Sequence, residues 1–524
     1  MTWRRVTVSL GCLCAAGAMV WSSLPYLVGY ARSSPEWQFG GSFIYPQDGY
    51  SYLAKMRQGA AGAWLIHLPY TSEMHAPAPV LMLYPLLGKV AALTGLSFEV
   101  IYHLARLAGA LALLSALTVF LRAFISQRAW RHLAFALIVV SGGLGWLLST
   151  LSPRYNPLEL LAPHLYVFAM LYGPPHVSLG VAVLLVMLVG LRQLEGRTAM
   201  GVGLLGAALA LIRPETVPIF WGVAMLYWLG RRATGRSLPA ARDLVPAALG
   251  LPVLAAVYAI VMLNPAFRAW MGQNPFPAPQ PLDLALGLAP LLPFGLVGLR
   301  SGRWWRGPGL LITLWALGIP LLAYVPIGSQ SRLLSGIVVP WGILASYGWL
   351  RVVRPALRRF GRDGRWLYWR WAGASWLGGA AASAIWFILI AALYVNSRPA
   401  DLFYSSAAPE IATWLADRAA DKPVLSAWRT GSLLAAQARV KVFLGHPIET
   451  LDYGTKSMSV AHFFQGATSP AERSDLLRRY DIGYVVQGPW ERSLGAFEPA
   501  SAPELRRVFA AGDYALYQVV LPSE

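Results

Sequence analysis

Cysteine is nearly absent from the 524 residues: the two present, Cys12 and Cys14, both fall inside the first apolar segment. That spacing is too short for an ordinary disulfide, and a lipid setting does not suit a zinc site, so they read as packing residues. No glycine-rich loop follows a strand-like run, and no P-loop occurs, which leaves direct use of a cytosolic nucleotide sugar without support. Internal repeats and low-complexity linkers are also missing. Acidic residues are few, 24 Asp and Glu against 43 Lys and Arg, for a net charge of +19. The deficit is local. From Arg398 onward there are 13 basic and 14 acidic residues, whereas the first 396 positions hold 30 and 10. The positive excess therefore belongs to the apolar part of the chain, where it follows the positive-inside rule of membrane proteins. Nucleic-acid binding is excluded as its explanation.

Apolar residues dominate, at 56% of the sequence. They fall in repeated runs of about 18 residues or more, the mark of a polytopic membrane protein. The patterning predicts about eleven transmembrane helices, near 6–30, 99–121, 132–151, 176–194, 198–213, 215–230, 244–263, 282–299, 308–325, 333–350 and 373–395. Arg4 and Arg5 ahead of the first run predict an uncleaved signal anchor with a cytoplasmic N-terminus. Arginines recur in every second connection, for example Arg122, Arg128 and Arg131, then Arg231, Arg232, Arg236 and Arg242, and last Arg351 to Arg370. The opposite connections hold Glu36, Asp48, Glu73, Glu159, Glu215 and Asp283, with the histidines His75 and His176 in proline-rich settings. Chemistry is expected on that outer, extracytoplasmic side.

The organisation expected is a transmembrane domain over 1–396, with its first outer loop at 31–98, followed by a small extracytoplasmic α/β domain over 397–524. In the tail, Ala408–Ala420 reads as an amphipathic helix and Ser469–Arg479 as a helix with a capping-box start. Val424-Leu425-Ser426, Val440–Leu444, Tyr480–Val486 and a closing pair near Arg507 and Tyr514–Val520 read as strands.

One stretch stands out, Ser42 to Arg57. It sets a single carboxylate, Asp48, among aromatics just beyond the first apolar run, ahead of a short interfacial helix expected at Tyr50–Ala60. A charged residue at a membrane face is a functional candidate by default. It is equally a good helix cap, since Asp48 precedes the helical pattern. Both readings stay open on the residues alone. A second helix lying on the interface is expected at Leu81–Leu96.

Together these features resemble the GT-C superfamily of membrane glycosyltransferases, which take sugars from polyprenyl-phosphate donors. Four stretches carry the likeness: Pro46-Gln47-Asp48-Gly49-Tyr50 in the first outer loop, Pro175-His176, Leu211-Ile212-Arg213-Pro214-Glu215 and Gln330-Ser331-Arg332. The tail loop Leu444-Gly445-His446-Pro447-Ile448-Glu449-Thr450-Leu451-Asp452-Tyr453 resembles the extracytoplasmic domain of such bacterial proteins. The first-loop aspartate stands alone, where some branches show a paired acidic form. The resemblance implies a sugar transferred, with inversion, to an extracytoplasmic glycan, lipid or protein acceptor by an inner-membrane enzyme of the dolichyl-phosphate-mannose-protein mannosyltransferase kind.

On that resemblance Asp48 is the catalytic base. Arg332 is the first choice to hold the leaving phosphate, because a guanidinium presents a fork of donors. Lys55, Arg57 and Arg213 compete with it. Arg332 is equally a snorkelling interfacial arginine, and Arg213 equally a partner of Glu215. Glu73, His75 and His176 are placed as sugar or phosphate contacts, with room for a divalent cation at Glu73, and His446 as a residue overhanging the acceptor. No metal ligands and no cofactor are expected, since two histidines without ligand spacing make no metal site. Rival readings are a polyprenyl-linked lipid transporter or flippase, and a non-catalytic scaffold of envelope assembly.

Overall fold

The computed structural model describes residues 10–152, 154–326, 328–360, 367–418 and 422–520. Arg4, Arg5, Arg362, Asp363 and Arg365 lie outside them. The chain folds as two compact units. One comprises Met1–Pro25, Leu104–Ala255 and Phe276–Leu393; the other comprises Tyr26–His103, Ala256–Pro275 and Tyr394–Glu524.

The chain is mostly helical, and among the described residues six helices are long and apolar enough to cross a membrane. They are Phe98–Phe124, Arg128–Leu151, Pro175–Gln193, Ala241–Leu263, Gln330–Arg359 and Arg370–Asn396. The pair Pro281–Gly287 and Leu292–Leu299 is bent by 91°, and counted as one span it makes seven. Other apolar stretches form helices shorter than these, such as Gly196–Ile212 and Gly307–Leu322. Burial differs sharply along the set. Only 22% of the most apolar window of Ala241–Leu263 is buried inside the protein, against 89% for Gln330–Arg359. An apolar helix so exposed is stable only with hydrocarbon around it, while its counterpart is a central element.

In the first unit Leu292–Leu299 packs on Val338–Gly348 with backbones almost touching. A Cβ at Gly348 would lie 1.9 Å from the carbonyl oxygen of Phe294. Small residues at such seams are how helices associate in a medium that offers no hydrophobic drive.

The second unit holds the Asp48 stretch. Its helix runs Pro46–Ala60, four residues earlier than the pattern predicts, because Pro46 at the first helical position is pre-set for helical φ. The preceding Tyr45 has φ 48° and makes no side-chain cap. Asp48 is therefore inside the first turn and is not the cap. The helix packs on Leu83–Thr94, itself ended by Gly95 at φ 71°. Here too glycine permits the approach: a Cβ at Gly88 would sit 1.8 Å from the carbonyl oxygen of Met56. Gly88→Val is expected to lower stability by about 1–3 kcal/mol through overpacking. Gly454→Ala, where a new Cβ meets nothing within 4 Å, serves as the control in the same thermal melts. Equal melting temperatures would refute the seam.

The same unit has two sheets. Strands β1 (Trp37–Phe39) and β2 (Phe403–Ser405) pair antiparallel. Strands β3 (Val424–Leu425), β4 (Tyr484–Gln487), β5 (Leu505–Ala511) and β6 (Tyr514–Val519) form a second sheet in the order β3-β4-β6-β5. β3 and β4 are parallel, and the β5–β6 hairpin turns through Gly512 at φ 51°. Helices Ala407–Arg418, Trp428–Gln437, Tyr453–Phe464 and Pro470–Arg479 accompany it. The last starts with the expected capping box, Ser469 with Glu472. Val440–Leu444 is no strand; only an isolated bridge joins Val442 to Val424.

Candidate functional site

Asp48, Ser51 and Lys55 follow one another at i, i+3 and i+7, so they share one face of the Pro46–Ala60 helix. All three engage the loop that carries His446 and Glu449. His446 Nε2 lies 2.9 Å from Asp48 Oδ1. Its Nδ1 accepts the Ile448 backbone N–H at 3.1 Å, which puts the ring proton on Nε2, from where it is donated to Asp48. One carboxylate oxygen is thereby fixed, and the Asp48 side chain remains 38% exposed.

The pinning below Asp48 is ionic and buried. Lys55 Nζ donates to both Glu449 oxygens at 2.9 Å and to Ser51 Oγ, whose hydroxyl donates on to Glu449 Oε1. The Lys55 side chain is fully buried and that of Glu449 nearly so. Burial would push the Glu449 carboxyl up, but Lys55, His446 and the Ser51 hydroxyl together hold it below the usual range. Further bonds fix the loop. Gln273 donates to the carbonyls of Ile448 and Thr450 at 3.2 and 2.8 Å and accepts from Asp452 N–H at 3.0 Å. Gly445 N–H donates to Thr450 Oγ1 at 3.0 Å. Tyr70 is wholly buried, and burial keeps its phenol protonated, while the Glu449 charge adds to that effect. Its hydroxyl has no hydrogen-bond partner among the described residues.

The other expected contacts of this unit serve its framework. Arg57 donates to the carbonyl of Ala436 and lies over the Phe98 ring at 4.7 Å. Glu73 pairs with Lys456 at 2.6 Å. His75 accepts the Leu68 N–H at 2.9 Å through Nε2 and donates through Nδ1 to the carbonyl of Glu73 at 2.8 Å, so its neutral ring closes a loop. Burial first, and the neighbouring His67, hold His75 below the ordinary imidazole range.

The first unit gathers a second cluster of expected residues. Glu215 Oε1 stands 3.6 Å from Arg213 and 3.9 Å from Arg332. Arg213 also donates to Ser335 Oγ at 3.2 Å, and Arg332 stacks on the Phe276 ring at 3.6 Å while its side chain is 30% exposed. Two guanidinium groups share one carboxylate, so the cluster keeps a net positive charge. His164, which the sequence did not single out, lies 2.9 Å from the carbonyl of Ser331. Its backbone carbonyl accepts the Gly336 N–H at 2.9 Å, so the Pro163–Leu165 turn braces the Arg332 segment. Burial, reinforced by Arg213, drives its imidazole down to about 3, a neutral ring at any physiological pH.

Tyr70, Gln273 and His164 carried no sequence signal of their own, and Ser51 only a weak one. A serine one turn after Asp48 was the one hint, given the shared helix face. Among the described residues no three His, Cys, Asp or Glu side chains group as metal ligands.

No family model matches the chain, and no curated protein matches it. Solved structures do. ArnT from Cupriavidus metallidurans in the apo state has a TM-score of 0.53 at 14% identity, covering 97% of this chain and 98% of ArnT. ArnT bound to undecaprenyl phosphate gives 0.54 at 15% identity, covering 97% of each chain. The mycobacterial arabinofuranosyltransferase AftD gives 0.56 at 16% identity over 97% of this chain, which spans only 40% of AftD. At such identities the likeness is one of fold, which this chain shares with ArnT and with AftD.

Proposed function

We propose that this protein is an integral-membrane glycosyltransferase that moves a sugar from a polyprenyl-phosphate donor to an extracytoplasmic acceptor, with Asp48 as the base. The observation that carries the reading is the His446 bond to Asp48 Oδ1, which orients the carboxylate and leaves its second oxygen for a substrate hydroxyl. In the step proposed, the acceptor O–H gives its proton to Asp48 as its oxygen bonds to the anomeric carbon. The bond from that carbon to the phosphate oxygen breaks, and the electron pair leaves with the polyprenyl phosphate. A single displacement inverts the anomeric centre. Positive charge must meet the departing phosphate, and Arg332 is the residue proposed for that role. The fold shared with ArnT, which was solved with undecaprenyl phosphate, supports the donor class.

With this reading go eleven spans, a membrane domain over 1–396 and an extracytoplasmic domain over 397–524. The arginine-rich alternate connections support an inner-membrane location with the N-terminus cytoplasmic. His446 acts as a positioning residue, and Lys55 with Glu449 as its support.

Arg332→Ala is expected to raise the KM for donor about tenfold to a hundredfold, the loss of a charge-assisted hydrogen bond of about 1.5–3 kcal/mol. The kcat should change far less. Steady-state kinetics with a radiolabelled polyprenyl-phosphate sugar in nanodiscs decide this, and an unchanged KM removes Arg332 from the donor site. For the function as a whole, cell-envelope extract is the acceptor. Label that never leaves the donor under any condition refutes the transferase.

A further inference from the structure

The second unit contains an open cavity of about 240 Å³ that the proposed reaction does not use. Its wall includes Gln47 and Tyr50, so it abuts the same helical turn that carries Asp48. Aromatic rings make up much of the rest, among them Trp428 and Trp490. Between these two indoles sits the guanidinium of Arg429, 4.5 Å from one ring centre and 4.3 Å from the other. Arg429 donates through Nε and a terminal nitrogen to Asp401 Oδ1, at 3.0 and 2.7 Å. Both bonds fall on one oxygen. Both residues line the cavity. Ser432 also lines it. That side chain is 1% exposed, and its hydroxyl has no hydrogen-bond partner among the described residues.

An unpartnered buried hydroxyl is costly unless something completes it. Here the adjacent space is roomy enough for one small ring. The single cation of the wall is matched by Asp401, so the cavity offers no net attraction to phosphate. It offers flat apolar faces together with a donor, acceptors and hydroxyls at its edge. A neutral sugar ring has the matching form, with C–H faces that stack on indoles and a rim of hydroxyls that both give and take hydrogen bonds. A purely apolar ligand would leave the Ser432 hydroxyl without a partner.

We infer that this cavity binds a neutral saccharide unit, the glycan part of the acceptor, through Trp490, Asp401, Arg429 and Ser432. The inference rests on the glycosyltransferase reading for the word acceptor, but not for the binding itself. The cavity is walled by Gln47 and Tyr50, the neighbours of Asp48 on the same helical turn, so a glycan held there lies against the turn that carries the proposed base.

The test uses the full-length protein in nanodiscs free of glycosidic detergent. Saturation-transfer NMR would be run with methyl glycosides of hexoses and N-acetylhexosamines and with their disaccharides. Binding of undecaprenyl phosphate would be measured on the same samples. Saturable binding is expected for at least one neutral glycoside, weakened at least tenfold in Trp490→Ala and in Asp401→Asn. Because the first variant removes packing along with the stacking face, Trp490→Phe, which keeps an aromatic face, should recover part of the affinity. Absence of saturable binding by every glycoside overturns the inference, as does binding unchanged in both variants. If the lipid phosphate still binds in that case, the transferase reading stands without this site. Glycoside binding without lipid-phosphate binding has the opposite meaning, supporting the cavity and removing the donor.

Discussion

Asp48→Asn should lower transfer from a polyprenyl-phosphate donor by about 10²–10⁴-fold, the usual contribution of a positioned base, while leaving the protein folded. The asparagine is nearly the same shape. Its carbonyl oxygen still accepts the His446 Nε2–H that Asp48 Oδ1 accepts at 2.9 Å, so the loop keeps its anchor. What changes is the other side. A carboxylate oxygen able to take a proton becomes an amide NH₂ that can only donate. Donor binding should be retained, since the carboxylate is assigned to the acceptor hydroxyl. Transfer assays, donor binding and a thermal melt on the same preparation separate these effects. Turnover within twofold of wild type would dismiss Asp48 as base, and a lowered melting temperature would return it to a structural role.

Lys55→Met should be the most damaging single change to stability, about 3–5 kcal/mol, because it strands a buried carboxylate. Glu449 would keep only the Ser51 hydroxyl in place of the two bonds from Lys55 Nζ at 2.9 Å. The pair Lys55→Met with Glu449→Leu removes both charges and should recover most of the loss. That outcome is expected because buried ion pairs often match apolar replacements in stability. Recovery of stability without recovery of activity would separate the pair's energetic role from its positioning of His446. Chemical denaturation of single and double variants gives the coupling, and additive losses would refute it.

A pH dependence goes with this. The Glu449 and Glu73 carboxyls are depressed, so their contribution is present above the unfolded value of 4.5 and is lost as pH falls through the folded one. His75 is also depressed, but as a base. Its unfolded form takes up a proton below about pH 6.5, which the folded form resists, so stability begins to fall there and falls more steeply below 4.5. Melting temperatures across pH 3–8 check this, and a flat profile between 6.5 and 4 would contradict the histidine part, to which His164, held at about 3, adds.

The sequence was most legible where the signal is local. Apolar runs, prolines at helix starts and the Ser469–Glu472 box each depend on neighbours a few residues away. The Asp48 helix was found but started too late, because hydrophobic periodicity begins at Tyr50 while Pro46 begins the helix. The Val440–Leu444 strand failed for a different reason. An apolar β-branched run fits a strand only if an edge receives it, and a single bridge to Val424 is all that forms. Charges misled where burial decides their use. Lys55, one of the contenders for the phosphate, is wholly enclosed and neutralised by Glu449.

What the sequence by itself determined is an apolar, helical membrane chain and the scarcity of carboxylates that makes Asp48 a candidate, because lipid imposes composition and charge rules that act span by span. Only the tertiary structure decided what holds that carboxylate. Asp48 and His446 are 398 residues apart, as are Ser51 and Glu449, and no local rule pairs residues at that distance. Gln273 ties down the loop that brings His446 to its partner, and Gly59 and Gly88 let the Asp48 helix meet its neighbour backbone to backbone.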